Sequence, residues 1–145
     1  MTKQILVIDD EVDLRELIEV SLVGYAGWQV QTAATCQQGL EKAGDHKPDL
    51  ILLDIMLPGL SGLEILKVLR ETPDTREIPV ILVSARSHPE DIAKGLRLGA
   101  SDYVTKPIEQ DVLLARLQTQ LKLKQLADEK DRTIQRLEEA KKLNG

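Results

Sequence analysis

The feature that most limits the fold of this chain is a continuous apolar run at residues 50–53, which ends at a single carboxylate, Asp54. An apolar run without polar alternation is typical of a strand buried on both faces of a parallel sheet. A loop with proline and glycine follows, and Ser61 with Glu64 then forms a capping box at the start of a helix. We therefore predict that Asp54 lies at the carboxyl end of a central strand, the sheet edge where open α/β proteins bind ligands.

Four further segments repeat this order of strand and helix. Continuous apolar runs at residues 5–8 and 79–83 predict two more interior strands, whereas residues 28–33 and 100–105 mix polar with apolar side chains, as edge strands do. Five strand–helix units with right-handed crossovers predict an α/β protein, a flavodoxin-like (βα)5 three-layer sandwich. The parallel strand order that puts the three apolar runs inside is 2-1-3-4-5.

Local signals predict where several helices begin and end. Glycines at residues 24–27 are expected to break the first helix. Two more capping boxes, Thr35 with Gln38 and Ser87 with Glu90, are expected to start the second and fourth helices.

Polar side chains follow four of the predicted strands: Asp9 and Asp10 the first, Asp54 the third, Ser84 the fourth and Lys106 the fifth. The carboxyl ends of parallel strands lie at one edge of a sheet, about 4.8 Å apart, so these side chains should converge. Three carboxylates this close repel one another unless a cation lies among them. Oxygen ligands favour a hard cation, and we predict Mg²⁺.

Each of these residues also has a purely structural explanation. Asp9 or Asp10 could cap the first helix, Ser84 could bond to the local backbone, and Lys106 could simply neutralise a carboxylate. As a set, they fit phosphoryl transfer to a carboxylate, with Asp54 as the nucleophile. Mg²⁺, Lys106 and Ser84 would contact the phosphoryl oxygens, since such transfer depends mainly on positioning and electrostatics.

The motifs that carry these residues, ILVIDDE, LILLDIMLPGLSG, ILVSA and GLRLGASDYVTKP, resemble the response-regulator receiver domains of two-component systems over residues 3–121. The resemblance implies that Asp54 accepts a phosphoryl group from a sensor histidine kinase, a phosphotransfer protein or a small phosphodonor. It implies no enzymatic activity beyond self-phosphorylation and self-dephosphorylation. It also implies a switch that is displayed on the face of helix 4, strand 5 and helix 5.

The resemblance assigns further roles. Asp9, Asp10, Asp54 and the backbone carbonyl of Met56 would bind Mg²⁺, and Lys106 would pair with the phosphoryl group. Ser84 and Tyr103 would form the switch pair, and the Lys106–Pro107 bond is a candidate cis peptide. Met56 and Arg86 occupy positions that vary in the family. Because Met56 hydrogen-bonds water poorly, we expect slow hydrolysis of the phosphoryl group.

The last part of the chain exceeds what a receiver requires. We predict a receiver domain at residues 1–122 and a helical extension at residues 123–145, with coiled-coil spacing at Leu123, Ala127, Lys130, Ile134, Leu137 and Lys141. Two of the six are lysines, so the pattern does not decide between two hypotheses. The extension is either a solvated helix or a coiled-coil linker that, together with helix 5, forms the interface of a homodimer.

Composition narrows the partners. The net charge of −5 and the aromatic content of 2% disfavour nucleic-acid binding by this chain, and its residues contain no recognisable winged-helix or helix-turn-helix segment. The chain could be a stand-alone regulator or the N-terminal part of a longer protein. We expect a cytoplasmic protein, because no apolar run approaches the roughly 18 residues of a membrane span and no signal peptide is visible.

Two alternative functions are a phosphorylation-independent dimerisation scaffold and a Mg²⁺-dependent aspartyl phosphatase. The phosphatases carry an Asp-x-Asp motif after the first strand, whereas Asp9 and Asp10 are adjacent.

Overall fold

Five strands alternate with five helices in the computed structural model, which describes residues 2–59, 61–85 and 88–144 of the 145-residue chain. The strands are β1 (Gln4–Ile8), β2 (Gln29–Ala33), β3 (Leu50–Asp54), β4 (Val80–Ala85) and β5 (Asp102–Lys106). The helices are α1 (Val12–Ala26), α2 (Cys36–His46), α3 (Gly62–Glu71), α4 (Pro89–Arg97) and α5 (Gln110–Asn144).

The strands form one parallel sheet in the order β2-β1-β3-β4-β5, as predicted. Helices cover both faces, so β1, β3 and β4 are almost wholly buried, and β2 and β5 lie at the edges with partly exposed side chains. Since all five strands run the same way, their carboxyl ends share one edge. Asp54 is the last residue of the central strand, β3.

The core consists of two apolar layers, one on each face of the sheet. Alternate residues of each strand enter opposite layers, as the pleat requires. Leu6 and Leu53 pack with the buried side chains of α2 and α3, whereas Val7 and Leu52 pack with those of α1 and α5. The layers hold the sheet edge between helices on both sides and so fix the positions of the strand-end side chains.

The first helix ends within the predicted break at residues 24–27, at the second of the two glycines and not at the first. α1 continues through Gly24 and ends at Ala26, and Gly27 then adopts a left-handed φ of 67°. A glycine inside a helix costs only about 1 kcal/mol. The burial of Leu22 beside it against the sheet outweighs that cost.

The ends of the other helices partly match the expected capping. The side chain of Thr35 accepts a hydrogen bond from the Gln38 N–H, as predicted. The predicted Ser87–Glu90 capping box is not tested as a whole, because Ser87 lies outside the described residues. The N-cap position of α4 is His88, whose side chain makes no capping bond, and Pro89 fills the first turn, where a missing N–H costs little.

β5 starts two residues later than predicted and includes Lys106. The reason lies at the end of α4, where Gly99 adopts a φ of 112°. The N–H of Gly99 donates to Leu96, and the N–H of Ala100 donates to the Gly95 carbonyl. This Schellman motif occupies the Ala100 backbone, so the residue closes a helix instead of opening a strand.

The last helix, α5, is one continuous element of 35 residues, about 52 Å long at 1.5 Å per residue. Its first half packs on the sheet through Leu113, Leu114, Leu117 and Leu121. Beyond these, the side chains of Leu123 and Leu137 are 52% and 64% exposed. None of the helices within the described ranges combines the length and apolarity that a membrane crossing requires.

Candidate functional site

Three carboxylates meet at the carboxyl edge of the sheet. Asp9 follows β1, and the register that pairs Ile8 with Leu53 brings it beside Asp54. Asp9, Asp10 and Asp54 each offer an oxygen within 4.8 Å of the other two. Asp9 and Asp54 are only 2% exposed, whereas Asp10 is open to solvent.

The backbone just after each strand fixes the two buried carboxylates. The N–H of Glu11 donates to Asp9 Oδ1 at 2.9 Å, and the N–H of Met56 donates to Asp54 Oδ1, also at 2.9 Å. Such Asx turns are local hydrogen bonds to the N–H two residues ahead. Because each Oδ1 is held by its own loop, each Oδ2 faces the space between the strands.

Lys106 places its ammonium group in that space. Its Nζ lies 3.1 Å from Asp54 Oδ2 and 3.7 Å from Asp9 Oδ2. It also lies 3.1 Å from Glu11 Oε1, so Glu11 is the third carboxylate that contacts this ammonium group. β4 separates β5 from β3, and the long side chain of Lys106 reaches across it to Asp54. The Lys106–Pro107 peptide bond is cis.

Two groups of this site have shifted pKa values, Asp9 and Lys106. Burial raises the pKa of Asp9 to about 6, the Glu11 N–H opposes the shift, and the charge of Asp54 adds to it. Partial burial alone would lower the pKa of Lys106. The hydrogen bonds to Glu11 and Asp54 and the charges of Asp54 and Asp9 outweigh burial, so the pKa of Lys106 is raised.

The other predicted site residues that the structure describes lie on β4, on β5 and just after β3. Ser84 is buried near the end of β4, and its hydroxyl donates to the Ala85 carbonyl at 3.1 Å. Tyr103 is half-buried on β5 beneath Arg116, whose guanidinium carbon lies 5.0 Å from the ring centroid. Met56 has an exposed side chain, and Arg86 lies outside the described residues.

Three residues at or near the site have contacts that the sequence patterns did not predict. Glu11 contacts Lys106, although its place directly after Asp9 and Asp10 was a usable signal. Arg15 donates to the Asp9 carbonyl at 2.6 Å. Arg116 donates to Asp102 at 2.8 Å and to the Tyr103 carbonyl at 2.7 Å, and no local motif marks it.

Gly62 packs directly on the backbone that carries Asp54. Its N–H donates to the Ile55 carbonyl at 2.8 Å. A Cβ there would overlap the Asp54 carbonyl oxygen and lie 2.7 Å from the Ile55 Cα. We expect Gly62→Ala to lower the free energy of unfolding by about 2–3 kcal/mol, because backbone atoms must move to relieve the overlap.

Urea denaturation would measure this loss, with Gly44→Ala as the matched control. A Cβ on Gly44, inside α2, would meet nothing within 4 Å. Alanine there should therefore stabilise the protein by about 0.5–1 kcal/mol. Equal stability of the two variants would show that α3 does not rest on the Asp54 backbone.

The chemistry open to this cluster follows from its donor set. Three converging carboxylates supply hard oxygen ligands, which suit Mg²⁺. The cluster contains no histidine or cysteine among the described residues, so its ligands do not suit zinc. The ammonium of Lys106 can bind an anion that reaches Asp54. The arrangement therefore fits a carboxylate nucleophile beside two sources of positive charge.

The chain is similar to response regulators in both sequence and structure. The family model described as "Response regulator receiver domain" matches residues 5–118. The chain is 43% identical over 120 residues to the phosphate regulon transcriptional regulatory protein PhoB of Pseudomonas aeruginosa, covering 83% of this chain and 52% of PhoB. The chain spans about half the length of the first curated relatives it matches.

Solved structures agree with this match. NtrX from Brucella abortus is similar with a TM-score of 0.85 and 32% identity, over 92% of this chain and 30% of that chain. A CheY-like response regulator receiver domain protein from Methanospirillum hungatei has a TM-score of 0.81 and 28% identity, over 88% of this chain and 99% of its own.

Proposed function

Because this chain belongs to the response regulator receiver domain family, we propose that it accepts a phosphoryl group on Asp54 from a sensor histidine kinase or a phosphotransfer protein. The observation that carries the proposal is the buried Asp54 carboxylate, paired with Lys106 at 3.1 Å and within 4.8 Å of Asp9 and Asp10. Receiver domains are typically not enzymes, and we propose that this one undergoes only self-phosphorylation and self-dephosphorylation.

The transfer uses Asp54 as the nucleophile. One of its carboxylate oxygens forms a bond to phosphorus while the bond from phosphorus to the donor imidazole nitrogen breaks, and that nitrogen keeps the electron pair. The phosphoryl oxygens then carry the negative charge beside Asp54, and the ammonium group of Lys106 would pair with them. The Met56 N–H orients the carboxylate through Oδ1. Positioning and charge, more than proton transfer, lower the barrier.

A divalent cation completes this scheme. Asp9, Asp10 and Asp54 would hold Mg²⁺ together with the backbone carbonyl of Met56. When bound, the ion supplies positive charge for the phosphoryl oxygens. The fit rests on the three carboxylate oxygens within 4.8 Å of one another, a set of the kind that Mg²⁺ prefers.

The phosphoryl group would act as a switch through Ser84 and Tyr103. It adds a charge of about −2 beside Asp54, and Ser84 can turn its hydroxyl from the Ala85 carbonyl to a phosphoryl oxygen. Tyr103 would then move inward into the space that Ser84 vacates. The change would be displayed on the face of α4, β5 and α5, because Tyr103 lies on β5 and contacts α5 through Arg116.

We also propose that the signal passes along α5. We propose a receiver domain at residues 1–122 and a helical extension at residues 123–145 that links it to a partner or forms a homodimer. The exposed Leu123 and Leu137 on the extension support this assignment. The scaffold alternative relies on the same exposed leucines. We propose a cytoplasmic location, where histidine kinases would supply the phosphoryl group.

Intact-mass spectrometry after incubation with acetyl phosphate and Mg²⁺ tests the proposal. We expect one acid-labile phosphoryl adduct, which peptide mapping after borohydride reduction places at Asp54. Size exclusion of both states would show whether phosphorylation changes assembly. We expect the adduct to decay slowly, because the thioether of Met56 orients an attacking water poorly. A folded protein that acquires no adduct would favour the scaffold, and turnover of a phosphomonoester would favour the phosphatase.

A further inference from the structure

We propose that Glu11 is a positioning residue that holds Lys106 in the unphosphorylated protein and competes with the phosphoryl group for it. Glu11 would thereby limit how readily Asp54 is phosphorylated. This inference rests on the proposed function, since it concerns the lysine that pairs with the incoming group. It adds to the site a carboxylate that is not one of the three clustered acids.

The backbone of Glu11 is fixed, whereas its side chain is turned to the site. Its N–H donates to Asp9 Oδ1 at 2.9 Å, and its carbonyl accepts from the Arg15 N–H at 3.1 Å. Glu11 occupies the N-cap position of α1, yet its side chain makes no capping hydrogen bond. The carboxylate reaches Lys106 at 3.1 Å instead, joining α1 to the end of β5.

The ammonium of Lys106 has three N–H donors to distribute. Asp54 and Glu11 accept at 3.1 Å each, and Asp9 lies at 3.7 Å. The two contacts at 3.1 Å are hydrogen bonds, whereas the longer contact with Asp9 is an ion pair. An arriving phosphoryl oxygen would therefore compete with these carboxylates for the one positive charge of Lys106.

Burial decides which acceptor is replaced. Asp9 and Asp54 are 2% exposed, and loss of the lysine would leave a buried carboxylate unpaired, which is costly. The side chain of Glu11 is 59% exposed and can return to water at little cost. Glu11 is thus the partner that Lys106 exchanges for the phosphoryl group.

Two consequences oppose phosphorylation. The Glu11–Lys106 pair must break, and the released carboxylate stays near a group that carries a charge of about −2. Removal of Glu11 should therefore favour the phosphorylated state. A partly exposed ion pair supports a change of about two- to fivefold.

The test compares Glu11→Ala with wild type during acetyl phosphate treatment in Mg²⁺, followed by intact-mass spectrometry. We expect the steady-state ratio of phosphorylated to unphosphorylated protein to rise by about two- to fivefold. Glu11→Gln should fall between the two, because its amide oxygen still accepts a hydrogen bond from Lys106. Asp13→Ala is the matched control, since Asp13 is an exposed acid in the same turn of α1 that is not among the contacts of Lys106. It should behave as wild type.

Two further measurements separate positioning from net charge. In a Lys106→Met background, Glu11→Ala should change the ratio little, because the lysine through which it acts is absent. In unphosphorylated protein without Mg²⁺, Glu11→Ala should shift the ¹³Cε–¹Hε NMR signal of Lys106, whereas Asp13→Ala should not.

The inference is overturned if Glu11→Ala leaves the ratio unchanged or lowers it. It is also overturned if Asp13→Ala produces the same rise, or if the rise persists without Lys106. A wild-type protein that takes up no phosphoryl group would overturn the proposed function as well. Phosphorylated wild type with an unresponsive Glu11→Ala would reject only the role of Glu11.

Discussion

Asp54→Asn is expected to abolish the phosphoryl adduct, with at least a 100-fold drop in adduct formed under conditions that label wild type, a loss of about 2.7 kcal/mol or more in transition-state stabilisation. The amide lacks the charged oxygen that attacks phosphorus. It can still accept the Met56 N–H that now bonds to Asp54 Oδ1. The variant should therefore fold and fail only in chemistry.

The measurement is intact mass after acetyl phosphate treatment, with circular dichroism to show that the fold is kept. Asp13→Asn provides the matched control, because Asp13 is an exposed aspartate in the first turn of α1. It should label as wild type does. If Asp54→Asn gave as much phosphorylated protein as wild type, the acceptor would lie elsewhere in the acidic cluster and the assignment of Asp54 would be rejected.

The second large effect concerns pH. Without Mg²⁺, Asp9 should make the protein less stable as pH rises through about 6. Burial raises the pKa of Asp9 from its ordinary value of 3.8 to about 6, so the folded state holds this proton more tightly than the unfolded state does. The resulting stabilisation is complete below pH 3.8 and is lost as pH rises through about 6. The full loss is about 3 kcal/mol, at 1.36 kcal/mol per pH unit.

Urea denaturation in EDTA at pH 4.5, 6 and 7.5 would test this effect. The informative quantity is the difference in unfolding free energy between wild type and Asp9→Asn, because that difference isolates the contribution of Asp9. Relative to wild type, Asp9→Asn should become more stable as pH rises. A difference that is independent of pH would show that Asp9 is ionised in the folded protein throughout this range.

The same proton links pH to the metal binding that we propose. The proposed Mg²⁺ site requires an ionised Asp9, so its affinity for the ion should weaken as pH falls below about 6. Saturating Mg²⁺ should conversely recover stability at neutral pH, because a ligand that binds only the folded state stabilises it. Calorimetric titration with Mg²⁺ at pH 5 and 7.5 would measure the change.

The sheet could be predicted from sequence because burial leaves a plain signature along each strand. The runs that end at Ile8 and Leu53 lack polar alternation and lie inside the sheet, whereas the mixed run at residues 28–33 contains the whole edge strand β2. The convergence of Asp9, Asp54 and Lys106 follows from parallel strands alone. Strand burial and the meeting of the strand ends depend only on chain direction and on the alternation of side chains along a strand, and both can be inferred from sequence patterns.

Features that depend on tertiary contacts could not be predicted in the same way. Gly24 stays helical because neighbouring residues pack on the sheet, and Ala100 leaves the strand because the Gly95 carbonyl captures its N–H. The Glu11–Lys106 pair joins residues 95 positions apart. The direction of the Ser84 hydroxyl likewise depends on which acceptor is nearest in space.

Because α5 is long, a small movement near the site displaces the far end of the helix by a larger distance. Arg116 ties the helix to β5 through Asp102 and the Tyr103 carbonyl, and the helix continues from Leu121 to Asn144, an arm of about 35 Å. A tilt of about 10° at the root would sweep the far end through about 6 Å by the same geometry. A shift of β5 too small to disturb the core could therefore displace the C-terminal end of α5 by more than the distance between neighbouring strands.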